Sequence, residues 1–357
     1  MMRIENGHGG DVFTLPQSQQ ERLLDFSINI NPAGMSPKGK AAMLSHLEMD
    51  IERYPDVACR GIRQALSVRY GVPMEGITCG NGATELIYAF IRAFRPKVVC
   101  VPAPAFSEYR LAAEAEGVPV TSFLLEKDAG FQLGDSSFLE NLAPGSLVFL
   151  GNPNNPDGLF LSRSAFHQVM AAVEKSGSWL MIDESFIDFA GDDRSFRQEV
   201  AHHPGLVICL SLTKFYAVPG LRIGAVFSSA AIADRLASVL YPWHVNGPVQ
   251  RYMAAAVLDT EYAAESRRLV AEERLRMMRR LEKLPGIRVY PGTVNFLLLR
   301  LLDGSVSQLA DALLAKHIMI RQCGNYEGLD ASFFRVAVRK KEENDYLLES
   351  LQEVLVP

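Results

Sequence analysis

Residues 211–224 read SLTKFYAVPGLRIG, and they follow an apolar run, LVICL at 206–210, that is typical of a buried β-strand. The stretch brings Lys214 and Arg222 together with the hydroxyl groups of Ser211 and Thr213. A lysine amine can bond covalently to the carbonyl group of a cofactor, while a hydroxyl and a guanidinium can hold a phosphate beside it. The alternative is an ordinary solvated loop after a strand, so the interpretation depends on the rest of the chain.

Composition narrows the class of protein. The chain has 357 residues, 48% of them hydrophobic and 22% charged, which predicts a globular protein with room for one large domain and a smaller one. A net charge of −5, without an isolated basic segment, argues against a nucleic-acid partner. The sequence shows neither an apolar leader segment nor a run of about eighteen apolar residues, so we expect no membrane association and a cytoplasmic protein.

Cysteine usage predicts a reduced protein. The cysteines are odd in number, scattered and without a C-x-x-C pair, so neither a disulfide framework nor a zinc site is expected. We expect these thiols to be mostly buried in or near strands. They are Cys59, Cys79, Cys100, Cys209 and Cys323.

From residue 36 onward, short apolar runs alternate with helix-like segments. Residues 162–175, for example, repeat apolar residues at three- and four-residue spacing. Strand and helix alternating in this way predict an α/β fold with a mostly parallel sheet covered on both faces, and ligands bind such sheets off the carboxyl ends of the strands. The apolar runs occupy 97–101, 118–123, 147–150, 179–183, 206–210 and 223–227.

Patterning also predicts a domain organisation. Residues 1–35 form an N-terminal arm that is too polar for the core, and 36–247 form the large domain. Connecting helices follow at 248–284, where charges of both signs at helical spacing between 261 and 284 indicate a solvated helix. Residues 285–357 form a smaller α/β domain, with two helices and strands at 287–290, 294–299, 318–321 and 333–338.

Two further motifs suit a phosphate and a flat ring. Residues 80–85 (GNGATE) precede a helical run, where free backbone N–H groups and the positive end of the helix dipole can bind a phosphate. Residues 101–106 (VPAPAF) end a strand with Phe106, whose ring could stack on a heteroaromatic cofactor. Each has an ordinary alternative, since any helix can begin with Gly and Thr and a ring after a strand is usually core.

Two more motifs carry polar groups past strand ends. Residues 151–158 (GNPNNPDG) place asparagines between prolines, which either present an amide to a ligand or simply form a turn. Residues 183–188 (DESFID) begin with Asp183 at the inner end of an apolar strand. A carboxylate there needs a positive partner, and a protonated pyridine nitrogen is one. The five motifs together favour a cofactor site more strongly than any one of them.

Their order along the chain resembles that of the fold-type I pyridoxal-phosphate enzymes, and the likeness covers essentially the whole sequence. The resemblance implies the aspartate aminotransferase-like PLP-dependent transferase fold and pyridoxal 5′-phosphate as cofactor. It implies that Lys214 bonds to the cofactor aldehyde, Asp183 keeps the ring nitrogen protonated, Asn155 holds the ring hydroxyl and Phe106 stacks on the ring. The implied phosphate ligands are Ala83, Thr84, Ser211 and Arg222. In this family Tyr54, within ERYPD at 52–56, reaches the cofactor phosphate of a neighbouring subunit, so a homodimer with shared active sites is implied.

Within that superfamily the sequence is most similar to histidinol-phosphate aminotransferases and the threonine-phosphate decarboxylases of cobalamin synthesis. Residues 320–324 (IRQCG) and 334–339 (FRVAVR) resemble their substrate-binding pair. The resemblance implies that Arg321 binds a substrate phosphate and Arg335 a substrate carboxylate, each as a bidentate fork. A structural salt bridge is the alternative for either arginine.

Three stretches favour the decarboxylases: HGG at 8–10, DFSINI at 25–30 followed by NP, and LTKFYAVPGLR at 212–222. By resemblance His8, Gly9 and Asn29 join Arg321 at the substrate phosphate, and Asn155 also faces the substrate. Phe186 stands where aminotransferases usually have a tyrosine that donates to the ring hydroxyl. One departure is Asp157, which replaces the usual threonine of the N-P-T-G turn.

The resemblance therefore implies a carboxy-lyase that converts O-phospho-L-threonine to (R)-1-amino-2-propanol phosphate and CO₂, for the linker of the cobalamin nucleotide loop. One alternative is an aminotransferase acting on histidinol phosphate or an aromatic amino acid. Another is a pyridoxal-phosphate-binding regulatory module of the kind found fused to DNA-binding domains, although no winged-helix segment precedes residue 36.

Overall fold

The computed structural model describes residues 9–125, 127, 130–133, 137–140 and 142–355. Its centre is a seven-stranded sheet with the strand order β2-β8-β7-β6-β5-β3-β4. The strands of this sheet are β2 Ile77–Gly80, β3 Val99–Ala103, β4 Val120–Leu124, β5 Leu147–Gly151, β6 Trp179–Asp183, β7 Leu206–Ser211 and β8 Gly224–Phe227. Strand β8 runs antiparallel to both of its neighbours, and the pairs from β7 to β4 are parallel. The predicted mostly parallel α/β sheet is confirmed.

Helices cover the large sheet, and a long helix leads to a second sheet. The helices are α1 Gln17–Gln20, α2 Pro37–Leu44, α3 Leu47–Glu52, α4 Arg60–Tyr70, α5 Ala83–Phe94, α6 Glu108–Ala115, α7 Arg163–Lys175, α8 Leu212–Phe215, α9 Ala230–Ala237, α10 Gly247–Ala256, α11 Thr260–Leu281, α12 Val306–Ala315 and α13 Lys341–Leu355. Helix α7 begins where Ser162 accepts a hydrogen bond from the Ala165 amide, as a Ser N-cap does. Short 3₁₀ turns join several of these elements.

The central sheet is buried on both faces. Along β7, Ile208 and Leu210 belong to one hydrophobic cluster, while Val207 and Cys209 belong to the cluster on the other face. Successive side chains of a strand point to opposite faces, so a strand covered on both sides reads as a continuous apolar run. This explains why the run at 206–210 shows no polar alternation.

The C-terminal part of the chain forms a second, four-stranded antiparallel sheet of order β12-β13-β10-β9. Its strands are β9 Ile287–Val289, β10 Phe296–Leu301, β12 Arg321–Gln322 and β13 Phe333–Ala337. Apolar residues from α11, α12 and α13 pack on this sheet in a separate core cluster. Helix α11 carries the mixed charges noted in the sequence, and two of its arginines, Arg268 and Arg276, pair with acidic residues three or four positions away.

Residues 24–31 lie inside the protein, whereas their polarity predicted that they stay out of the core. Strand β1, Leu24–Asp25, pairs in parallel with β11, Ile318–Met319, and the Phe26 side chain is completely buried. The polar neighbours are buried because they have partners: the Asp25 carboxylate accepts from the Ser27 amide at 2.8 Å, and Asn31 Nδ2 donates to the Phe215 carbonyl at 2.8 Å. Internal hydrogen bonds, which polarity alone does not reveal, correct the expectation.

The five cysteines are free, and four of them are buried, as expected. Within the described part of the chain, no helix combines the length and the apolar character that crossing a membrane requires.

Candidate active site

The motifs singled out in the sequence meet at one edge of the seven-stranded sheet. Gly151 and Asp183 are register partners at the ends of β5 and β6, and Ser211 at the end of β7 pairs with Gly224. Because β8 is antiparallel to its neighbours, its first residue lies at the edge where the parallel strands end. The predicted position of the site, off the carboxyl ends of the strands, follows from this topology.

Lys214 lies half-buried on the short helix α8, directly after β7. Its Nζ donates to Ser211 Oγ at 2.8 Å, and that hydroxyl is 2.8 Å from Thr213 Oγ1. Loss of hydration lowers the pKa of Lys214 to about 8, opposed by the Asp183 carboxylate and assisted by the positive charge of Arg222. An amine with such a pKa releases its proton near neutral pH, and the neutral amine is the nucleophilic form.

Asp183 is 8% exposed and has two hydrogen-bond donors. Oδ1 accepts from the Ser185 amide at 2.9 Å, and Oδ2 accepts from the Tyr109 hydroxyl at 2.8 Å. Burial raises the pKa of Tyr109 well above its ordinary value, and the neighbouring Asp183 charge raises it further, so Tyr109 stays a donor. These donors hold the Asp183 carboxylate in place at the strand end.

The start of α5 forms an anion cradle together with Arg222. Helix α5 begins after Gly82, which has a φ of +90° and provides no side-chain cap. A Cβ on Gly82 would lie 2.5 Å from Arg222 Nη2, and a Cβ on Gly224 would lie 2.5 Å from the Ala83 amide nitrogen. The Arg222 guanidinium thus lies against the backbone of Gly82, and the Ala83 amide lies against the backbone of Gly224; neither position has room for a side chain. Backbone N–H groups, a guanidinium and the Ser211 hydroxyl are the donor set that a phosphate requires.

Asn155 and Arg335 are joined across the two sheets. Asn155 Oδ1 accepts from Arg335 Nη1 and, at 3.2 Å, from the Tyr326 hydroxyl. Arg335 is 5% exposed, and its Nη2 donates to the Ser27 carbonyl at 3.0 Å. Among the residues that the structure describes, no carboxylate lies within 4.0 Å of this guanidinium, and its Nε has no hydrogen-bond partner. A buried cation without a counter-ion is prepared to bind an anionic ligand.

Arg321 and Phe106 line one cavity of about 100 Å³. Arg321 Nη2 donates to Asn325 Oδ1 at 2.9 Å, and its guanidinium lies 5.3 Å from the centre of the Tyr326 ring. The Phe106 ring packs edge to face against Tyr109, with ring centres 5.7 Å apart. Tyr109 in turn donates its hydrogen bond to Asp183, so Phe106 connects the lining of this cavity to the carboxylate at the end of β6 through one intervening residue.

Four more residues were predicted for the site: Gly9, Asn29, Tyr54 and His8. Gly9 packs so closely on Ser27 that a Cβ would be 2.4 Å from the Ser27 carbonyl oxygen. Asn29 is buried, and its Oδ1 has no hydrogen-bond partner among the described atoms. Tyr54 is 80% exposed and stacks on Trp243 with ring centres 4.5 Å apart, so its ring lies at the surface of the chain. His8 lies outside the described residues.

Sequence reasoning missed the partners that orient the site. It did not predict that Tyr109 is the donor to Asp183, nor that Tyr326 donates to Asn155. It also missed that Asn154 joins the Pro104 carbonyl by a 3.0 Å bond. Tyr109 and Tyr326 belong to none of the motifs singled out in the sequence, and Asn154 and Pro104 lie in two separate motifs; the contacts span about 50 to more than 170 positions. A pattern confined to one window does not carry this information.

The comparisons with known proteins agree with this geometry. The model of the family "Aminotransferase class I and II" matches residues 21–351. Threonine-phosphate decarboxylase of Salmonella typhimurium is 36% identical, over 99% of this chain and 98% of its own. The adenosylcobalamin biosynthesis bifunctional protein of Leptospira interrogans is 30% identical over 97% of this chain, which spans 41% of that larger protein.

Among solved structures, histidinol-phosphate aminotransferase from Clostridium acetobutylicum superimposes with a TM-score of 0.85 at 33% identity, covering 93% of this chain and 99% of that one. The resemblance inferred from the sequence and the predicted transferase fold are confirmed. The anion cradle, the buried Asp183 and the half-buried Lys214 fit the phosphate, ring nitrogen and aldehyde of the family's cofactor. The chain therefore belongs to the class I and II aminotransferase family, and its cofactor is pyridoxal phosphate.

Proposed function

We propose that this protein decarboxylates O-phospho-L-threonine to (R)-1-amino-2-propanol phosphate and CO₂. The observation that carries the proposal is the buried guanidinium of Arg335, which lies between Asn155 of the large domain and the Ser27 carbonyl and has no carboxylate partner among the described residues. A substrate carboxylate supplies the missing counter-ion. The 36% identity to a threonine-phosphate decarboxylase supports the same reaction.

Pyridoxal phosphate, when bound, supplies an aldehyde that condenses with amines and a pyridinium ring that accepts the electron pair left at the substrate Cα. Lys214 Nζ is the attachment point for the aldehyde, since its pKa of about 8 makes the neutral amine available. Asp183 would keep the ring nitrogen protonated through its negative charge. Ser211, Arg222 and the start of α5 would hold the cofactor phosphate.

Two arginines orient the substrate. Arg335 binds the carboxylate, and Arg321, at the margin of the Phe106 cavity, binds the substrate phosphate together with the arm residues His8, Gly9 and Asn29. Holding both ends of a small substrate fixes which Cα bond is aligned for cleavage. The bond between Cα and the carboxylate carbon breaks, CO₂ leaves and the electron pair stays behind. Protonated Lys214 Nζ then donates a proton to Cα and is reprotonated from water, so one proton is taken up for each CO₂ released.

A contact within the arm, between Gly10 and Ser27, supports a substrate site that is closed on one side. The Gly10 amide donates to Ser27 Oγ at 2.8 Å, while the carbonyl of Ser27 accepts from Arg335. The arm thus lies beside the guanidinium that we assign to the carboxylate. Exclusion of water strengthens the interactions of both charged groups of the substrate.

We further propose that the product serves as the linker of the cobalamin nucleotide loop and that the enzyme is a homodimer. The relative named as an adenosylcobalamin biosynthesis protein supports the first part. The exposed Tyr54–Trp243 stack supports the second, because Tyr54 is free to reach the cofactor phosphate of a partner subunit. Sedimentation velocity of the holoenzyme measures the oligomeric state, and a monomeric wild type would exclude the shared site. A Tyr54→Phe variant should remain dimeric and, in a cofactor titration, bind pyridoxal phosphate more weakly.

The decisive experiment incubates cofactor-loaded protein with O-phospho-L-threonine and no keto acid. We expect stoichiometric CO₂ and aminopropanol phosphate. The alternative is a histidinol-phosphate aminotransferase, which the likeness to the Clostridium acetobutylicum structure favours. Amino transfer from histidinol phosphate to 2-oxoglutarate, without CO₂ release from phosphothreonine, would establish that alternative.

A further inference from the structure

We propose that Asp157 is a positioning residue that locks the turn carrying Asn155 to the turn carrying Phe106. The inference rests on the proposed function and on the roles that the family resemblance implies, in which Asn155 holds the ring hydroxyl of the cofactor and Phe106 stacks on the ring. Asp157 is the residue that departs from the family's usual threonine at this point of the turn.

The contacts form a short chain between the two turns. Asp157 Oδ2 accepts from Asn154 Nδ2, and the same amide donates to the Pro104 carbonyl at 3.0 Å. Pro104 comes two residues before Phe106, and Asn154 directly precedes Asn155. Holding the side-chain amide of Asn154 in place therefore fixes the turn that carries Asn155 relative to the turn that carries Phe106.

The second carboxylate oxygen secures the other end of the same turn. Asp157 Oδ1 accepts from the Leu159 amide at 2.9 Å. Backbone hydrogen bonds close the turn as well. The backbone N–H of Asn154 donates to the Leu159 carbonyl at 2.9 Å, and the backbone N–H of Gly158 donates to the Asn154 carbonyl at 2.8 Å. A carboxylate has two oxygens for two separate donors, whereas a threonine has one hydroxyl oxygen. The aspartate is therefore able to bind both donors at once.

The burial of Asp157 shows that these contacts come at a cost. The residue is 1% exposed, and among the described residues no lysine or arginine lies within 4.0 Å of its carboxylate. Loss of hydration raises the pKa of Asp157 to about 7, against hydrogen bonds that lower it. A buried carboxylate without a counter-ion destabilises the fold compared with a neutral residue. The hydrogen bonds from Asn154 and Leu159 offset part of this penalty, and both donors belong to the turn that carries Asn155.

The test compares Asp157→Asn, Asp157→Thr, Asn155→Ala and the double variant Asp157→Asn/Asn155→Ala. The asparagine has nearly the same shape and keeps an acceptor for Leu159, but its NH₂ faces the Asn154 amide. The readouts are the dissociation constant of pyridoxal phosphate and the visible absorption maximum of the bound cofactor, besides kcat and KM. Asp259→Asn is the matched control, because Asp259 is 3% exposed and bonds to Ser36 rather than to either turn.

We expect Asp157→Asn to weaken cofactor binding about tenfold, the usual effect of one lost hydrogen bond to a charged group, and to shift the absorption maximum in the same direction as Asn155→Ala. In the double variant the two effects should not add. Asp157→Thr should be milder, since it places no NH₂ group against the side-chain amide of Asn154, and it serves if the asparagine variant does not fold. Asp259→Asn should leave both cofactor readouts unchanged.

The failures are distinguishable. If Asn155→Ala changes neither cofactor readout, the proposed role of Asn155 is wrong, and the inference falls with it. If Asn155→Ala changes them while the Asp157 variants match wild type, the inference alone is wrong. Additive effects in the double variant would likewise overturn the coupling and leave the proposed function intact.

Discussion

The hydroxyl of Tyr109 donates a 2.8 Å hydrogen bond to Oδ2 of Asp183, and the Tyr109 ring stacks on Phe149 with ring centres 4.6 Å apart. The stack fixes the ring, so the direction of the hydroxyl is fixed too. The carboxylate that we assign to the ring nitrogen of the cofactor is thus held in place through Oδ2, in a site where burial keeps the tyrosine protonated.

Removing that hydroxyl should weaken the carboxylate's hold on the ring nitrogen. We expect Tyr109→Phe to lower kcat/KM by about 10- to 100-fold, because a hydrogen bond to a charged group is lost while the stack remains. Steady-state kinetics with O-phospho-L-threonine measure the effect. Tyr88→Phe is the control, since Tyr88 donates to Glu108 at 3.3 Å outside the site, and equal losses in both variants would contradict the prediction.

Attachment of the cofactor should depend on pH through Lys214. Its pKa of about 8 lies below the ordinary 10.5, so the neutral amine dominates above pH 8. The attachment rate to the apoenzyme should rise about tenfold per pH unit below 8 and level off above it, as stopped-flow visible absorbance would show. A rate still rising at pH 10 would rule out the lowered pKa, and Lys214→Ala should abolish the covalent absorption band.

The same shift has a consequence for the stability of the apoenzyme. Between pH 8 and 10.5 the unfolded lysine holds more protons than the folded one, so the contribution of Lys214 to the free energy of unfolding increases as pH rises through this window. Denaturant unfolding of wild type and Lys214→Met at several pH values isolates the contribution. The difference between the free energies of unfolding of the two proteins should diminish as the pH increases.

Two glycine substitutions should have opposite effects. In Gly224→Ala the new Cβ would lie 2.5 Å from the Ala83 nitrogen, so α5 must move away from the cradle. We expect a loss of about 1–3 kcal/mol in the free energy of unfolding and weaker binding of pyridoxal phosphate. Gly61 lies inside α4, and a Cβ there would have only an ordinary 3.8 Å contact with Ala254 of α10. Gly61→Ala should therefore add about 0.5–1 kcal/mol to the free energy of unfolding with cofactor affinity unchanged. Thermal unfolding and fluorescence titration distinguish them.

Replacement of Arg335 by lysine should raise KM for phosphothreonine by about 10- to 100-fold, because lysine keeps the charge but lacks the planar fork. Cofactor absorption should be retained. Arg300→Lys provides the control, since Arg300 is on the neighbouring strand β10 and bonds to Ser332. An unchanged KM in Arg335→Lys would place the substrate carboxylate elsewhere.

The sequence predicted the α/β sheet and the strand ends because their signals are local. The run at 179–183 is the whole of β6, and Ser162 marks the start of α7. The motifs meet because parallel strands end at one edge of a sheet, which is a property of topology and can be inferred without coordinates. Predictions that rest on these two facts are the ones that the structure reproduces.

What the sequence could not provide is the set of contacts between distant segments. The bond from Tyr326 to Asn155 joins the two sheets, and the close approach of Gly224 to Ala83 depends on how β8 inserts beside β2. Burial of residues 24–31 was missed for the same reason, because their partners lie far along the chain. Hydrogen bonds between distant segments leave no periodic trace in either segment.

The pairing of residues 24–31 also sets an order for biosynthesis. Leu24 is register partner to Ile318, and the Asn31 amide donates to the Lys214 carbonyl at 3.0 Å. A ribosome therefore releases this segment on the order of ten seconds or more before its partners exist, at translation rates of about 5–20 residues per second. Until then Phe26, which is completely buried in the folded protein, lacks its packing partners, so the nascent chain presents an unpaired strand that chaperones are able to recognise. The lysine-bearing site is completed only when the last domain has been synthesised.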